Sequence, residues 1–271
     1  MSKPSGAIDM TRGKPINLML RFALPMMIGS IFQSLYSMVD SAVLGRFVGS
    51  HALAAIGATT STTGLILLLA TGVTSAISIV LSQYVGANDT DRVRKGIVAS
   101  GWITLLLGVV LGLISVFAAR PLMQLLKTPE DVIDMSVLYI QIVCGCGIAQ
   151  FAYNAAASIL RALGDSKTPL YFLILCSILN VILDLISVIG LNMGVAGVAV
   201  ATVGSQAISA VICILVMFRK YPNLMPKRHT LRPDMPVSLK IFGMGAQMAL
   251  QSLFLSVGMM VITRVINGYG S

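Results

Sequence analysis

Residues 52–88 contain no charged side chain, and this segment sets the tightest limit on what the chain can fold into. A soluble domain carries roughly 25% charged residues, whereas this chain has 11% charged and 56% hydrophobic residues. A helix needs about 20 mostly apolar residues to cross a bilayer, so the segment predicts a tilted or projecting membrane span. The composition excludes a soluble enzyme, a disordered protein and a nucleic-acid-binding protein.

Six further apolar segments have the length of a membrane span. The longest stretch, 169–218, is divided into two spans by the turn signal at 190–194, which contains two glycines and an asparagine. The N-terminal tail lacks the short apolar core and small-residue site of a cleaved signal peptide. The sequence therefore predicts an all-α membrane protein with seven spans. These are residues 18–44, the span within 52–88, 96–119, 135–160, the two spans of 169–218, and 241–263.

The basic residues are distributed unequally between the connections. Of the 19 lysines and arginines, 15 lie in the N-terminal tail, the second connection, the fourth connection and the sixth, 219–240. The positive-inside rule then predicts a cytoplasmic N-terminus. The net charge of +9 reflects this topology and contact with anionic headgroups, which removes it as a sign of nucleic-acid binding.

The first and seventh spans resemble each other when they are aligned with an offset of 218 residues. Chance matches in a biased composition remain an alternative. A true repeat makes residues 1–235 a six-helix lobe and 236–271 the first span of a second lobe. Two lobes in the same orientation, related by a pseudo-twofold axis along the membrane normal, are typical of transporters. The identities pair Met26, Gln33, Ser34, Leu35, Val39, Val43 and Arg46 with Met244, Gln251, Ser252, Leu253, Val257, Val261 and Arg264.

Two acids, Asp40 and Asp184, lie inside apolar spans with no basic residue nearby in sequence. At 1.5 Å per residue they lie about 8 and 9 Å from the outer ends of their spans, and Thr202 lies about 12 Å deep. Asn180 shares a helix face with Asp184 because the two are four residues apart. These oxygens predict a site that holds either protons or a monovalent cation such as Na⁺. The alternative is two neutral, hydrogen-bonded acids that hold helices together.

Other polar residues inside the spans have two interpretations each. Pro25 interrupts the hydrogen bonding of the first span, which predicts either a static kink or a hinge. Helix-to-helix hydrogen bonds are one explanation for the remaining polar side chains, and contact with the acid pair or a substrate is the other. These side chains are Gln33, Tyr36, Gln150, Tyr153 and Asn154.

Three stretches of the chain are similar to a known family. They are residues 23–46 around Asp40, Ser-Gln-Tyr-Val-Gly-Ala at 82–87, and Arg-Ala-Leu-Gly-Asp-Ser-Lys-Thr-Pro at 161–169. With these the chain resembles the prokaryotic branch of the multidrug and toxic compound extrusion (MATE) family, over the first half of its usual twelve spans. The resemblance implies two six-helix lobes, a cytoplasmic (inner) membrane location, and a cation site at Asp40, Asn180, Asp184 and Thr202. Asn154 matches a polar residue of the family less securely.

The resemblance implies an antiporter that exports organic, often cationic, compounds by alternating access, driven by H⁺ or Na⁺. We expect small organic substrates, the bilayer and a second lobe as partners, and no cofactor apart from the coupling ion. We expect no enzyme, since the spans contain no nucleophile–base pair, metal cluster or phosphate-binding glycine loop. Two alternatives remain: a lipid-linked oligosaccharide flippase of related architecture, and a non-transporting fragment.

Overall fold

The computed structural model describes residues 14–224, 226 and 231–268, and within these ranges the regular structure is entirely helical. The predictions that concern residues 1–13, 225, 227–230 and 269–271 lie outside the described residues. The helices are α1 (Pro15–Phe47), α2 (Ser50–Gly86), α3 (Thr90–Leu125), α4 (Glu130–Gly145), α5 (Ile148–Ala162), α6 (Lys167–Leu185), α7 (Gly194–Lys220) and α8 (Met235–Gly268).

The helices follow the predicted apolar segments. Among the described residues, α1, α2, α3, α7 and α6 with the turn that follows it are long and apolar enough to cross a membrane. The bent pair α4–α5 raises the number of candidates to six. The prediction of an all-α membrane protein is confirmed. α8 forms a helix over the predicted seventh span, although it is not among these six candidates.

The prediction of the fourth span, 135–160, was wrong in one respect, because two helices, α4 and α5, form this segment instead of one. α4 and α5 meet at a break of two residues and are bent by 42°. The backbone of α3 passes this break closely: a Cβ atom on Gly112 would lie 2.9 Å from the carbonyl oxygen of Gly145. Glycines on both sides of the contact therefore allow α3 to pack against the point where the span bends.

The predicted division between the fifth and sixth spans is confirmed, with an added π-helical turn. α6 continues into this turn at Ile186–Gly190, and α7 begins at Gly194 with a φ of +58°. Leu191 donates its backbone N–H to the Ile186 carbonyl at 3.0 Å, which closes the turn. π-helical turns are often found near functional sites, and this one directly follows the segment that carries Asp184.

Polar contacts join the start of α3 to the connection between α7 and α8 at one end of the bundle. Arg94 Nε donates to the Asn223 carbonyl at 2.8 Å, and Lys95 Nζ lies 3.2 Å from an Asp234 carboxylate oxygen. We call this the basic end. Its described connections are residues 87–89, 163–166, 221–224, 226 and 231–234, and basic residues lie on the helix ends that flank them.

The other connections meet at the opposite end. His51, at the start of α2, lies 3.2 Å from Asp131 at the start of α4. Val48 lies next to Gly194, which begins α7. A small apolar cluster closes the bundle here, built around Leu44, Val188 and Val198.

The larger core lies toward the basic end. Ile77 and Leu81 of α2, Leu160 of α5 and Ile241 of α8 are fully buried in one cluster. α1 lies outside this cluster and packs mainly along α6. A side chain of α6, Leu173, would be 3.2 Å from a Cβ atom on Gly29. This packing brings the Asp40 side of α1 against α6.

Candidate functional site

The two membrane-embedded acids lie together in the structure. Asp40 comes from α1, one turn before the buried Leu44, and Asp184 comes from α6, one turn before the buried Val188. Their carboxyl groups are within hydrogen-bonding reach of each other. The apolar cluster around Leu44 and Val188 therefore lies between this acid pair and the opposite end.

The acid pair is short of hydrogen-bond donors. Asp184 has no exposed surface, and Asp40 is half-buried. Neither oxygen of Asp184, nor Asp40 Oδ1, accepts a hydrogen bond from a donor group of another described residue. An unpaired charge inside a bilayer costs several kcal/mol. A proton shared by the two carboxyls, or a bound cation, would remove that cost.

Asn180 and Thr202 form a second polar pair beside the acids. Asn180 lies on α6 one turn before Asp184, and its Nδ2 donates to Thr202 Oγ1 of α7 at 3.5 Å. Both side chains are buried. The Asn180 Oδ1 atom accepts no hydrogen bond from another described residue. The four predicted residues thus supply oxygens on α1, α6 and α7.

The donor set indicates what such a site could hold. Carboxylate, amide and hydroxyl oxygens are the ligands of hard cations. Among the described residues there is no group of three or more His, Cys, Asp or Glu side chains that could hold a metal ion. The chemistry fits a proton or a monovalent cation with oxygen ligands, which are the two possibilities that the sequence leaves open.

Tyr36 is the predicted neighbour that the structure brings to the acid pair. It lies one turn before Asp40, is half-buried, and has Gln206 of α7 beside it. Tyr139 of α4 also lies close to Asp40, Asp184 and Tyr36. The sequence analysis missed Gln206 and Tyr139. Both are polar residues in apolar spans, as Tyr36 and Gln33 are, but they are uncharged and lack the insertion cost that selected Asp40.

The other predicted neighbours are placed differently. Gln33 is exposed on α1. Tyr153 is buried on α5 and donates its hydroxyl to the Pro169 carbonyl at 3.0 Å, which joins α5 to α6. Gln150 and Asn154 are half-buried on α5, and none of their described contacts joins them to the acid pair.

Pro25 is buried within α1, which remains helical on both sides of it. Because proline has no N–H, the carbonyl of Arg21 loses its hydrogen-bond partner in the helix. The continuous helix is compatible with the static kink and with the hinge.

The segment 161–169 builds a polar network at the basic end. Asp165 is fully buried and accepts hydrogen bonds from the Thr168 hydroxyl at 2.7 Å and from Lys220 Nζ at 2.6 Å. Arg161, in the last turn of α5, donates to the Ser158 hydroxyl at 2.8 Å. The network joins the α5–α6 connection to the last residue of α7.

Comparison with known proteins gives one family. The model described as MatE matches residues 25–186. The probable multidrug resistance protein YpnP of Bacillus subtilis (strain 168) is 32% identical over 266 residues, covering 97% of this chain and 59% of that protein. The multidrug export protein MepA of Staphylococcus saprophyticus is 24% identical over 253 residues, covering 93% and 56%.

Solved structures agree with this assignment. One is described as the outward-facing conformation of a multidrug resistance MATE family transporter of the MOP superfamily. It superposes with a TM-score of 0.87 and 25% sequence identity, covering 96% of this chain and 57% of that chain. The chain therefore spans less than two-thirds of the length of these relatives.

Proposed function

Because the chain belongs to the MatE family, whose members are transporters rather than enzymes, we propose that it forms the cation-coupling lobe of a multidrug exporter. The substrates are small organic compounds, often cationic, and the coupling ion is H⁺ or Na⁺. The observation that carries the proposal is the acid pair, Asp40 with Asp184, which is embedded in apolar helices without a basic partner among the described residues.

Alternating access follows from the two charge states of this pair. With both carboxyls ionised, repulsion favours a conformation in which water or a cation reaches them from outside. Protonation or cation binding removes the repulsion and favours the conformation that opens to the cytoplasm. Coupling requires the ion to bind the two conformations with different affinity. One charge moving through 100 mV contributes about 2.3 kcal/mol, enough for roughly fifty-fold accumulation.

Pro25 is the proposed hinge of this transition. It lies on the same helix as Asp40, about four turns away at 3.6 residues per turn. α1 packs mainly on α6, the helix that carries Asp184. A change of charge at the acid pair therefore acts on the contact between these two helices, and α1 can respond by bending at Pro25, where one backbone hydrogen bond is missing.

The charge distribution supports a cytoplasmic N-terminus, and the bacterial relatives support a prokaryotic inner membrane. The basic end would face the cytoplasm by the positive-inside rule, and the acid pair would lie nearer the outer surface. On this orientation the cation enters from outside, as coupling to an inward gradient requires.

A second lobe completes the proposed transporter. The domain boundary lies near residue 235, with 1–235 as the first lobe and 236–271 as the first span of the second. The offset of 218 residues between α1 and α8 supports this division. In α8, Gly258 stands at the place of Asp40, so the acid site would belong to the first lobe alone.

The flippase alternative makes a different demand on the site. A pyrophosphate-linked lipid needs cationic side chains in the transport path, whereas the basic residues of the described helices lie within about two turns of helix ends. The acid pair instead favours positively charged or neutral cargo. The third possibility is a fragment that does not transport, and the vesicle transport assay distinguishes it from both.

The test is transport in vesicles by a complete transporter that carries this chain as its first lobe. We expect Asp40→Asn to abolish dye export under an imposed pH or Na⁺ gradient, and so to lose the roughly fifty-fold accumulation that one charge supports. Asp91→Asn is the matched control, since Asp91 is an exposed acid on α3. Normal export by Asp40→Asn would contradict the coupling role. Lipid-linked oligosaccharide flipping without dye export would establish the alternative.

A further inference from the structure

A groove with a volume of about 430 Å³ lies between α3, α5 and α7. None of the residues of the acid pair, of the Asn180–Thr202 pair or of their neighbours lines it. The groove is therefore a separate feature of the bundle, and the proposed transport cycle does not use it.

The lining of the groove is apolar and starts near the basic end. Val98 and Leu105 of α3, Ala152 and Ala156 of α5, and Phe218 of α7 are among the lining residues. The groove residues of α3 lie about 2–14 Å along the helix from residue 96, where the predicted third span begins, at 1.5 Å per residue. One leaflet contributes about 15 Å of the hydrocarbon core. The groove thus lies at the depth of one leaflet, where an acyl chain can enter it.

A connection at the basic end borders the groove. Pro226 and Leu231 are part of the lining, and Trp102 Nε1 of α3 donates to the Leu231 carbonyl at 2.9 Å. This hydrogen bond holds Leu231 against the apolar groove.

Two arginines at this border have no acidic partner among the described residues. Arg219 directly follows Phe218, and Arg232 directly follows Leu231, so each is adjacent in sequence to a residue of the lining. Both are exposed. Lys95 and Lys220 nearby are each paired with an aspartate. Basic pockets between helices at the cytoplasmic side of a membrane are a recurrent form of anionic lipid site.

From the groove and its two arginines together, we propose that the chain binds one anionic phospholipid of the leaflet at the basic end. The acyl chain lies in the groove between α3, α5 and α7, and the phosphate contacts Arg219 and Arg232. This goes beyond the proposed function, because it requires neither cation coupling nor a second lobe.

Trp102 provides a direct measurement, since it is the single tryptophan of the chain and lines the groove. The purified chain is titrated in detergent with phosphatidylglycerol brominated in its acyl chains, and in parallel with brominated phosphatidylcholine. We expect saturable quenching of Trp102 at about thirty-fold lower phosphatidylglycerol concentration, the preference that two basic residues provide. Equal quenching by the two lipids would overturn the headgroup assignment.

The headgroup contact is tested by Arg219→Gln with Arg232→Gln. We expect this double variant to lose most of the roughly thirty-fold preference while quenching still saturates. Arg46→Gln with Lys127→Gln removes two charges at the opposite end and is the matched control, which should keep the preference. An unchanged preference in the first variant would overturn the site at the arginines.

Occupation of the groove is tested at Gly101 of α3, which lines it and has open space around a Cβ atom. Gly101→Leu should fill the groove and reduce retained phospholipid in native mass spectrometry. Gly57→Leu, also in open space on α2 and near the opposite end, should not. Wild-type retention in Gly101→Leu would overturn the proposal. If that variant does not fold, saturable quenching in the unmodified chain still decides whether the site exists.

Discussion

At the scale of single residues, Asp184 is an ionisable group with a high cost of burial. It has no exposed surface, and neither carboxylate oxygen has a described donor from another residue. A carboxylate at a helix centre costs about 2.5–3.5 kcal/mol on insertion scales. A residue that only joins helices should increase the free energy of unfolding. A residue retained for coupling should decrease it. The two interpretations of the pair therefore differ in the sign of a stability change.

We predict that Asp184→Asn raises the free energy of unfolding of the chain in alkaline buffer, because it removes an unpaired ionisable group. The increase should be on the order of 1–3 kcal/mol. The amide keeps the shape and can donate to Asp40. In acid, where carboxyls are protonated, the difference should shrink. Thermal unfolding in detergent across pH measures this, with Asp91→Asn as the control. A clear loss of stability in alkaline buffer would favour the structural interpretation.

The residues of the candidate site differ in how well the sequence predicts them. Asp40 and Asp184 stand out because an acid in an apolar span is costly wherever it points. Tyr139 and Gln206 could not be selected in this way, since their side chains are tolerated on many helix faces. Their relevance depends on the rotation of α4 and α7 about their axes, which packing alone determines.

At the scale of elements, the α5–α6 connection is fixed to the end of α7 by one buried ion pair. Asp165 is fully buried, and the Lys220 side chain is 22% exposed. The Thr168 backbone N–H also donates to Asp165 at 3.1 Å, so the carboxylate caps the start of α6. Removing one member of such a pair leaves an uncompensated buried charge.

We predict that Lys220→Met destabilises the chain by about 3 kcal/mol, the cost of breaking a buried pair from one side. The double variant Asp165→Asn with Lys220→Met should recover most of this, because no buried charge remains. Thermal or denaturant unfolding of the four proteins, namely the wild type, each single variant and the double variant, measures the coupling. Additive losses in the double variant would show that the two side chains stabilise the fold independently.

The break between α4 and α5 shows where prediction of elements from hydropathy stops. A window average detects that residues 135–160 are apolar, and it does so correctly. The bend at Cys146 and Gly147 lies where α3 approaches at Gly112. That contact joins residues more than thirty positions apart in sequence, so no local pattern encodes it.

At the scale of the whole molecule, α8 is held against the first lobe by glycines. Hydropathy predicts that a seventh helix exists, but it carries no information on which helix becomes its neighbour. The structure pairs α8 with α2. Gly72 of α2 faces Gly245 and Ala249 of α8, and small residues allow such backbones to approach closely in membranes. This contact would join the proposed first lobe to the first span of the second.

We predict that Gly72→Ala weakens the attachment of α8, because a Cβ atom there would lie 2.9 Å from both the Gly245 carbonyl oxygen and the Ala249 nitrogen. These are backbone atoms of a helix and cannot turn aside, so α8 must shift, at a cost of roughly 1–3 kcal/mol. A protease site inserted after Pro233 allows α8 to be cut from the bundle, and native mass spectrometry then measures the fraction that stays bound. Gly57→Ala, which meets open space on the same helix, should retain α8 as the unmodified chain does. If Gly72→Ala also retains α8 fully, the glycine contact does not hold α8 against α2. The attachment of α8 must then depend on the apolar contacts around Ile241.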